Sequence, residues 1–404
     1  MPTVEEKEMG MRYSIQGFAA NGVWAGIKEE GKRDLGLIFS DVPASAAGMF
    51  TTNRFKAAPV LVNMEKLKSG VAQAIVTNSG IANAATGAAG IRDARAISRT
   101  VSDGLRIHDG LVLVNSTGVI GHPLPVKKIR AAVPALIGGL SADGIPLAEE
   151  AMMTTDRYPK LVLGKCRIGS AEVSICGIAK GAGMIQPNMA TMLTYFMTDA
   201  EIRPASLKKA FRWAIDRSFN AISVDGCMST NDTALILANG KAGNRSISGT
   251  SGSFRVFRGA LQEAAEELAK AIVRDGEGAT KLIEIRVEGA RTAADARKAA
   301  YAVANSNLVK TAFFGGDANW GRIISALGST DAAFSPEAVK VYLDREAVFR
   351  NGKGIGGREE ILSRIMSQVE ITLRIVLGAG KESFRLYGSD LSFDYVKINA
   401  HYRT

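Results

Sequence analysis

Metal-binding and disulfide-forming residues are scarce in this chain: of 404 residues, three are cysteine and three are histidine. Cys166, Cys176 and Cys227 are odd in number and widely spaced, which excludes a disulfide framework and the paired spacing of a zinc site. His108, His122 and His401 are too dispersed for a histidine-based cluster, so no metal is expected. No apolar run approaches the ~20 residues that span a bilayer. The opening residues, MPTVEEKEMGMRYS, are charged and lack the apolar core of a secretory signal. A cytoplasmic, reducing location without membrane association is the expectation, and the Asn-x-Ser/Thr patterns at Asn115 and Asn231 then carry no glycosylation meaning. Runs of five or six basic residues are also missing. Lys+Arg exceed Asp+Glu by 50 − 40 = 10, but the excess is scattered and no aromatic-and-basic stripe accompanies it. That pattern argues against nucleic acid and for a surface favouring small anions such as carboxylates.

What the sequence does have is length for two domains, or for one large α/β unit with an appendage. Its 43 glycines cluster in short loops and form no repeat, which predicts many tight turns. Ile283, Ile285 and Val287 alternate with Glu284, Arg286 and Glu288, the pattern of a half-buried strand. Val173 and Ile175, alternating with Ser174 and Cys176, predict another strand running toward Lys180-Gly181. Helical spacing joins Leu207, Ala210, Phe211, Ala214 and Ile215 behind a capping Ser206. It also joins Phe254, Phe257, Leu261, Ala264, Leu268 and Ile272, with a stop at Asp275-Gly276 where glycine permits a left-handed cap. A third helix is expected from about Thr292. Interleaved helices and strands predict a layered α/β or α+β architecture, of which the α+β form is the one the resemblance given below implies.

The segment KGAGMIQPNMATMLTYFMTDA, Lys180 to Ala200, carries the most chemical information. A glycine-rich opening and a Pro187-Asn188 turn lead to Ala190-Thr191, and the β-prone run Met192 to Thr198 follows. A threonine hydroxyl is a weak nucleophile unless a base takes its proton. A threonine that begins a chain supplies that base with its own amine, which titrates at about 7.7–8.0. Attack of the Thr191 hydroxyl on the Ala190 carbonyl, an N-to-O acyl shift and hydrolysis of the ester would release that amine. The products would be fragments of 190 and 404 − 190 = 214 residues. On spacing alone, an Ala-Thr pair before a strand reads as an ordinary strand edge.

The same residues resemble the self-cleavage motif of the glutamate N-acetyltransferase / ornithine acetyltransferase family, close to KGxGMIxPNMATML. Further blocks of that family follow in order: AAGMFTTNRFKAAPV from Ala46, NSTGVIG from Asn115, MTTD from Met153, STNDT from Ser229, RDGEGATKL from Arg274, VKTAFFGGDANWGRI from Val309 and the terminal VKINAHYRT. The resemblance covers essentially the whole chain. It implies an αββα layered sandwich with an N-terminal-nucleophile-like arrangement, plus a smaller domain in the C-terminal half. It also implies an α chain of residues 1–190 and a β chain of 191–404 that begins with the nucleophile. By the same resemblance Ala190 and Thr191 flank the cut, Thr117 and Gly118 form an oxyanion hole, and Thr154, Lys180, Thr191, Glu277, Asn399 and Thr404 bind substrate.

The implied reaction runs in two halves. N-acetylornithine acetylates Thr191 and leaves as ornithine; glutamate then takes the acetyl group. No metal or nucleotide cofactor is needed, although acetyl-CoA serves as a second acetyl source in some members. The implied assembly is two α and two β chains. This sequence departs from the family pattern at Ile81, Ala85, Gln186, Cys227 and Ala318, and Cys227 bears most directly on pocket polarity. A related self-processing aminopeptidase or amidohydrolase would use the same nucleophile with water as acceptor. A phosphate-binding module is disfavoured, because Gly181-Ala182-Gly183 completes neither glycine-rich nucleotide motif.

Overall fold

The computed structural model describes residues 13–186 and 192–401, so the candidate residues Ala190, Thr191 and Thr404 lie outside the described residues. An eight-stranded sheet is built around Leu35–Phe50, a strand of 16 residues. The first half of that strand pairs with Phe18–Val23 and with Val71–Ile81, which runs parallel to Val112–Val119. The second half pairs with Thr233–Ala238, and the sheet continues through Leu193–Thr198, Ala171–Lys180 and Lys160–Ile168.

Side-chain alternation explains why the two halves of this sheet face each other. Ile38, Ile75 and Leu113 from one half share a buried cluster with Cys176, Ile178, Tyr195, Leu235 and Leu237 from the other. Across that cluster the Thr77 hydroxyl and the Tyr195 phenol form a 2.8 Å hydrogen bond. Their strand neighbours point the opposite way. Leu37, Val76 and Val114 pack with the helices Gly87–Leu105 and Val126–Gly138. Val173, Ile175, Phe196 and Ile236 pack with Pro204–Asp216 and Gly252–Arg274. The two-residue period of a strand thus produces helix, sheet, sheet and helix in layers, the αββα order expected.

A second, seven-stranded sheet forms the smaller domain of the C-terminal half. Its order is Lys353–Gly354, Glu346–Arg350, Lys340–Leu343, Glu370–Val376, Leu282–Ala290, Glu382–Ser389 and Ile222–Ser223. It has its own core, in which Ile283, Ile285 and Val287 meet Ala296, Ala300 and Val303 of the helix Ala293–Ala304.

The expected strands at 173–180, 192–198 and 283–287 are present, as is the third helix, whose Thr292 accepts from the Asp295 N–H at 3.0 Å. Two helix boundaries differ from expectation. Pro204–Asp216 is capped at Arg203, with Pro204 supplying the fixed φ of a first turn. Ser206 lies inside the helix and accepts from the Gly249 N–H at 3.1 Å instead of capping. At the end of Gly252–Arg274 the cap is Asp275 at φ −88°, and the left-handed glycine is Gly278 at φ +68°, beyond Glu277.

Candidate active site

Four segments bring their ends to one place. Val112–Val119 ends on Thr117 and Gly118. Ala171–Lys180 ends on Lys180, whose register partner across the sheet is Leu193. The loop after Ile222–Ser223 supplies Asp225, Ser229, Asn231 and Asp232 before Thr233–Ala238 begins. The turn after Gly252–Arg274 supplies Glu277. Together they border an open cavity lined by Thr117, Gly118, Thr154, Lys180, Glu277 and Asn399 among others. These are the described members of the expected set, and they come together although Thr117 and Asn399 are far apart in sequence.

Gly118 is required by its backbone. It sits at φ +125°, and a Cβ there would stand 2.3 Å from the carbonyl carbon of Gly80 on the neighbouring parallel strand. Gly183 is required by a side chain, because a Cβ would stand 2.3 Å from Glu277 Oε2. The same Glu277 oxygen accepts from Asn399 Nδ2 at 2.8 Å. That bond, with Tyr395 donating to Asp225 at 3.4 Å and Ser392 donating to the Gly278 carbonyl at 2.6 Å, ties down the C-terminal helix Phe393–His401. The helix has no buried residue of its own, so these polar ties and an edge-to-face contact of Phe393 with Phe314 locate it.

Lys180 is buried, and its ammonium donates to Thr154 Oγ1 at 2.8 Å and to Thr117 Oγ1 at 3.4 Å. Burial pushes its pKa down and the facing Asp156 carboxylate opposes that, with a net lowering. Asp156 heads a chain of buried charges that the sequence did not reveal. It accepts from Lys160 at 2.8 Å, from the Gly181 N–H at 2.6 Å and from the Thr154 N–H at 2.9 Å. Lys160 reaches on to Asp275 at 2.5 Å, and Asp275 also holds the Arg157 guanidinium at 2.9 Å. Burial alone would raise the Asp156 carboxyl. The Lys180 and Lys160 ammoniums outweigh that and hold it well below the usual carboxylate range.

Two further carboxyls flank the undescribed 187–191 segment. Asp225 accepts from the N–H groups of Met184 at 2.6 Å and Ile185 at 2.9 Å on the entering side. Asp232 accepts from Met192 N–H at 3.1 Å on the leaving side. Asn231 anchors the loop between them by donating to Ala82 O at 2.6 Å and Ser116 O at 2.7 Å. Asp156, Asp225, Asn231, Asp232 and Asp275 all lie in or beside blocks singled out in the sequence. Their signal was a polar residue inside a glycine-bounded loop, which is too common to select them. Cys227 lines the same cavity, its N–H donating to Asp225 at 3.1 Å. Among the described residues no cluster of His, Cys, Asp and Glu is grouped to hold a metal ion, and no helix is long and apolar enough to cross a membrane.

Comparison with known proteins agrees over the whole length. The ArgJ family model matches residues 19–404. The arginine biosynthesis bifunctional protein ArgJ of Geobacter sulfurreducens is 50% identical over 392 residues, 97% of this chain and 100% of that one. The protein of the same name from Bacillus subtilis is 45% identical over 97% of this chain and 96% of its own. Among solved structures, the arginine biosynthesis bifunctional protein from Bacillus halodurans is 38% identical with a TM-score of 0.50, covering 52% of this chain and 98% of that chain. With a family model matching residues 19–404 and relatives 45–50% identical over nearly all of the chain, the chain belongs to the ArgJ family.

Proposed function

We propose that this chain is an acetyltransferase of arginine biosynthesis that cuts itself between Ala190 and Thr191 and then carries acetyl on the Thr191 hydroxyl. The observation that carries the reading is the gathering of Thr117, Gly118, Thr154, Lys180, Glu277 and Asn399 around one cavity, with Lys180 in register with Leu193, two residues after Thr191. In the first half-reaction N-acetylornithine acylates Thr191, whose own amine takes the hydroxyl proton. The Gly118 N–H and the Thr117 hydroxyl stabilise the tetrahedral oxyanion. The Lys180 ammonium, backed by Asp156, binds a substrate carboxylate. The Glu277 carboxylate, oriented by Asn399, takes the ornithine ammonium. Thr154, held by Lys180, and Thr404 complete the substrate contacts. Glutamate then enters the same pocket and removes the acetyl group, which gives ping-pong kinetics.

The reaction needs no metal and no cofactor, and acetyl-CoA with glutamate tests for a second acetyl source. The pieces 1–190 and 191–404 remain associated as α and β chains, two of each per assembly. In support of that association, Leu193–Thr198 and Thr233–Ala238 lie in the sheet between Leu35–Phe50 and Ala171–Lys180, so parting the pieces would break the central ladder. A solved relative whose chain is matched over 98% of its length by 52% of this one is also what a two-piece enzyme would give.

The test is Thr191→Ala. Wild-type protein is expected to run as two fragments on a denaturing gel and to transfer acetyl from N-acetylornithine to glutamate. The variant is expected to run as one chain of 42.8 kDa and to lose turnover. Fragmentation and turnover that survive the substitution would refute the reading. Acetate release that ignores glutamate would instead mark a hydrolase.

A further inference from the structure

Two segments that wall the cavity run together and then part. The short strand Ile222–Ser223 pairs in parallel with the end of Glu382–Ser389, Ile222 beside Tyr387 and Ser223 beside Gly388. Beyond this the ladder stops and the chains diverge. One becomes the loop of Asp225, and the other passes Asp390 into the C-terminal helix Phe393–His401. Carbonyls at such an end have lost their ladder partners, and buried ones need others. Lys310, on the helix Asn307–Phe314, supplies them. Its ammonium donates to Val224 O at 2.6 Å, to Ser389 O at 2.5 Å and to Ser389 Oγ at 3.2 Å. The Ser389 hydroxyl closes the ring by donating to Val224 O at 3.4 Å.

Lys310 is 4% exposed, and all three of its protons go to neutral oxygens. Burying an ammonium without a carboxylate in contact is unfavourable, so a lysine hidden in this way calls for a reason beyond packing. The reason lies in what adjoins its acceptors. Val224 is followed by Asp225, on which the N–H groups of Met184 and Ile185 and the Tyr395 phenol converge. Ser389 is followed by Asp390, which accepts from the N–H groups of Thr280 at 2.8 Å and Lys281 at 3.0 Å, just past Glu277. The Leu391 N–H then donates to Lys310 O at 3.4 Å as the chain enters its last helix. Asp225, Glu277, Tyr395 and Asn399 all line the cavity. We propose that Lys310 is a positioning residue of this pocket: by clasping the Val224 and Ser389 carbonyls, its ammonium sets the spacing between the loop that presents Asp225 and the helix that presents Tyr395 and Asn399.

This rests on the reading of the pocket as an N-acetylornithine site and deepens it, since Asn399 orients the Glu277 carboxylate assigned to the ornithine ammonium. Lys310 touches no substrate and acts through these groups. Burial pushes its pKa down to about 8, although the Asp390 and Asp225 carboxylates, whose fields reach it, work in the opposite sense. Above that pH an amine with two protons faces three oxygens, and neutral bonds replace charge-assisted ones. The pocket should then loosen while the fold does not. A lysine whose folded pKa lies below its unfolded value of about 10.4 binds its proton less well in the folded chain, so its contribution to stability rises with pH between the two values. Grip on substrate and stability of the fold therefore move in opposite directions, which a lysine of merely structural role would not produce.

The test measures KM for N-acetylornithine and the urea midpoint from about pH 7 to about pH 9.5, a span that crosses the folded value and stays below the unfolded one. Wild-type KM is expected to rise severalfold above about pH 8, while the wild-type midpoint gains on that of Lys310→Met. Lys310→Met keeps the length and removes the charge. It is expected to raise KM about tenfold near pH 7 with kcat within about threefold, the mark of lost ground-state binding, and to show no further rise with pH. Lys310→Arg carries a charge that does not titrate in this range and should show no alkaline rise. A level wild-type KM, a Lys310→Met KM within about twofold of wild type near pH 7, or a Lys310→Arg KM that still climbs with pH would each overturn the proposal. If Lys310→Met does not fold, the wild-type and Lys310→Arg trends decide. Wild-type protein that never turns over N-acetylornithine would sink the pocket reading itself, an outcome seen before any variant is made.

Discussion

The two sheets handle charge in opposite ways. In the smaller domain, Leu282–Ala290 turns Ile283, Ile285 and Val287 into an apolar core and leaves Glu284, Arg286 and Glu288 on the outer face, where Arg286 pairs with Glu284 at 2.8 Å. In the larger unit, strand ends carry ionic groups inward: the side chains of Asp156, Lys160 and Asp275 are wholly buried and that of Lys180 nearly so. Removing such charges from water costs several kcal/mol per ion, and mutual attraction recovers it only with good geometry and every polar atom engaged. An apolar filling would give the larger unit an easier core. The contrast shows where the molecule gives up stability for a fixed arrangement: the buried Asp156–Lys160–Asp275 chain reaches the pocket wall through Lys180, Gly181 and the Asp275-Gly276-Glu277 turn.

The sharpest way to break this contrast is at Gly118, where backbone and site coincide. Gly118→Ala puts a methyl 2.3 Å from the Gly80 carbonyl carbon in a backbone conformation that L side chains rarely adopt. The N–H assigned to the oxyanion must then shift. Loss of one such donor lowers kcat by about 10²–10³. Steady-state acetyl transfer is the measurement, and a loss below tenfold would mean that the Gly118 N–H does not face the reacting carbonyl.

Asp156→Asn tests the buried chain directly. It leaves the Lys180 and Lys160 ammoniums without their shared counter-charge, and breaking a buried pair in this way costs about 3–5 kcal/mol. Urea unfolding at neutral pH should show that loss, together with a weaker grip on substrate. The sign with pH follows from the direction of the shift. Asp156 is held below its unfolded value, so its contribution is complete above the ordinary carboxylate pKa of about 3.9 and fades as pH falls toward the lowered folded value. The gap between wild type and variant should therefore be constant near neutrality and close in acid. A gap that widened in acid would contradict the assignment of Asp156 as the ionised member.

The same contrast explains how much could be read from sequence. The Ile283 strand is legible because its signal, a two-residue alternation, is local, and the helix expected from about Thr292 begins there, where the Thr292 side chain accepts from the Asp295 N–H. The αββα layers and the pocket set Thr117, Gly118, Thr154, Lys180, Glu277 and Asn399 came through the family motifs; composition and spacing alone would have left Glu277 as a solvated turn residue. Ser206 was misread as a cap because Pro204, two residues earlier, already starts the helix. The ionic chain was not legible at all. Lys160 and Asp275 are 115 residues apart in sequence, and a lysine or aspartate near glycines is ordinarily exposed. Asp232 is visible in the sequence only as a letter in STNDT, since burial is a property of the packed molecule.

The smallest effect is expected on the polar face of Leu282–Ala290. Glu284→Gln removes the acidic partner of Arg286, whose side chain is 48% exposed, and of Arg385, 3.9 Å away and 39% exposed. Solvent and salt already screen that attraction, and such pairs contribute about 0.2–1 kcal/mol. The difference in urea midpoint from wild type should therefore be slight at low ionic strength and vanish in concentrated salt, with acetyl transfer unchanged. The Asp156→Asn deficit, sealed from counter-ions, should persist in the same salt. If the two substitutions lost comparable stability, or responded alike to salt, burial would not be what distinguishes them, and the ionic chain behind Lys180 would be an ordinary surface network.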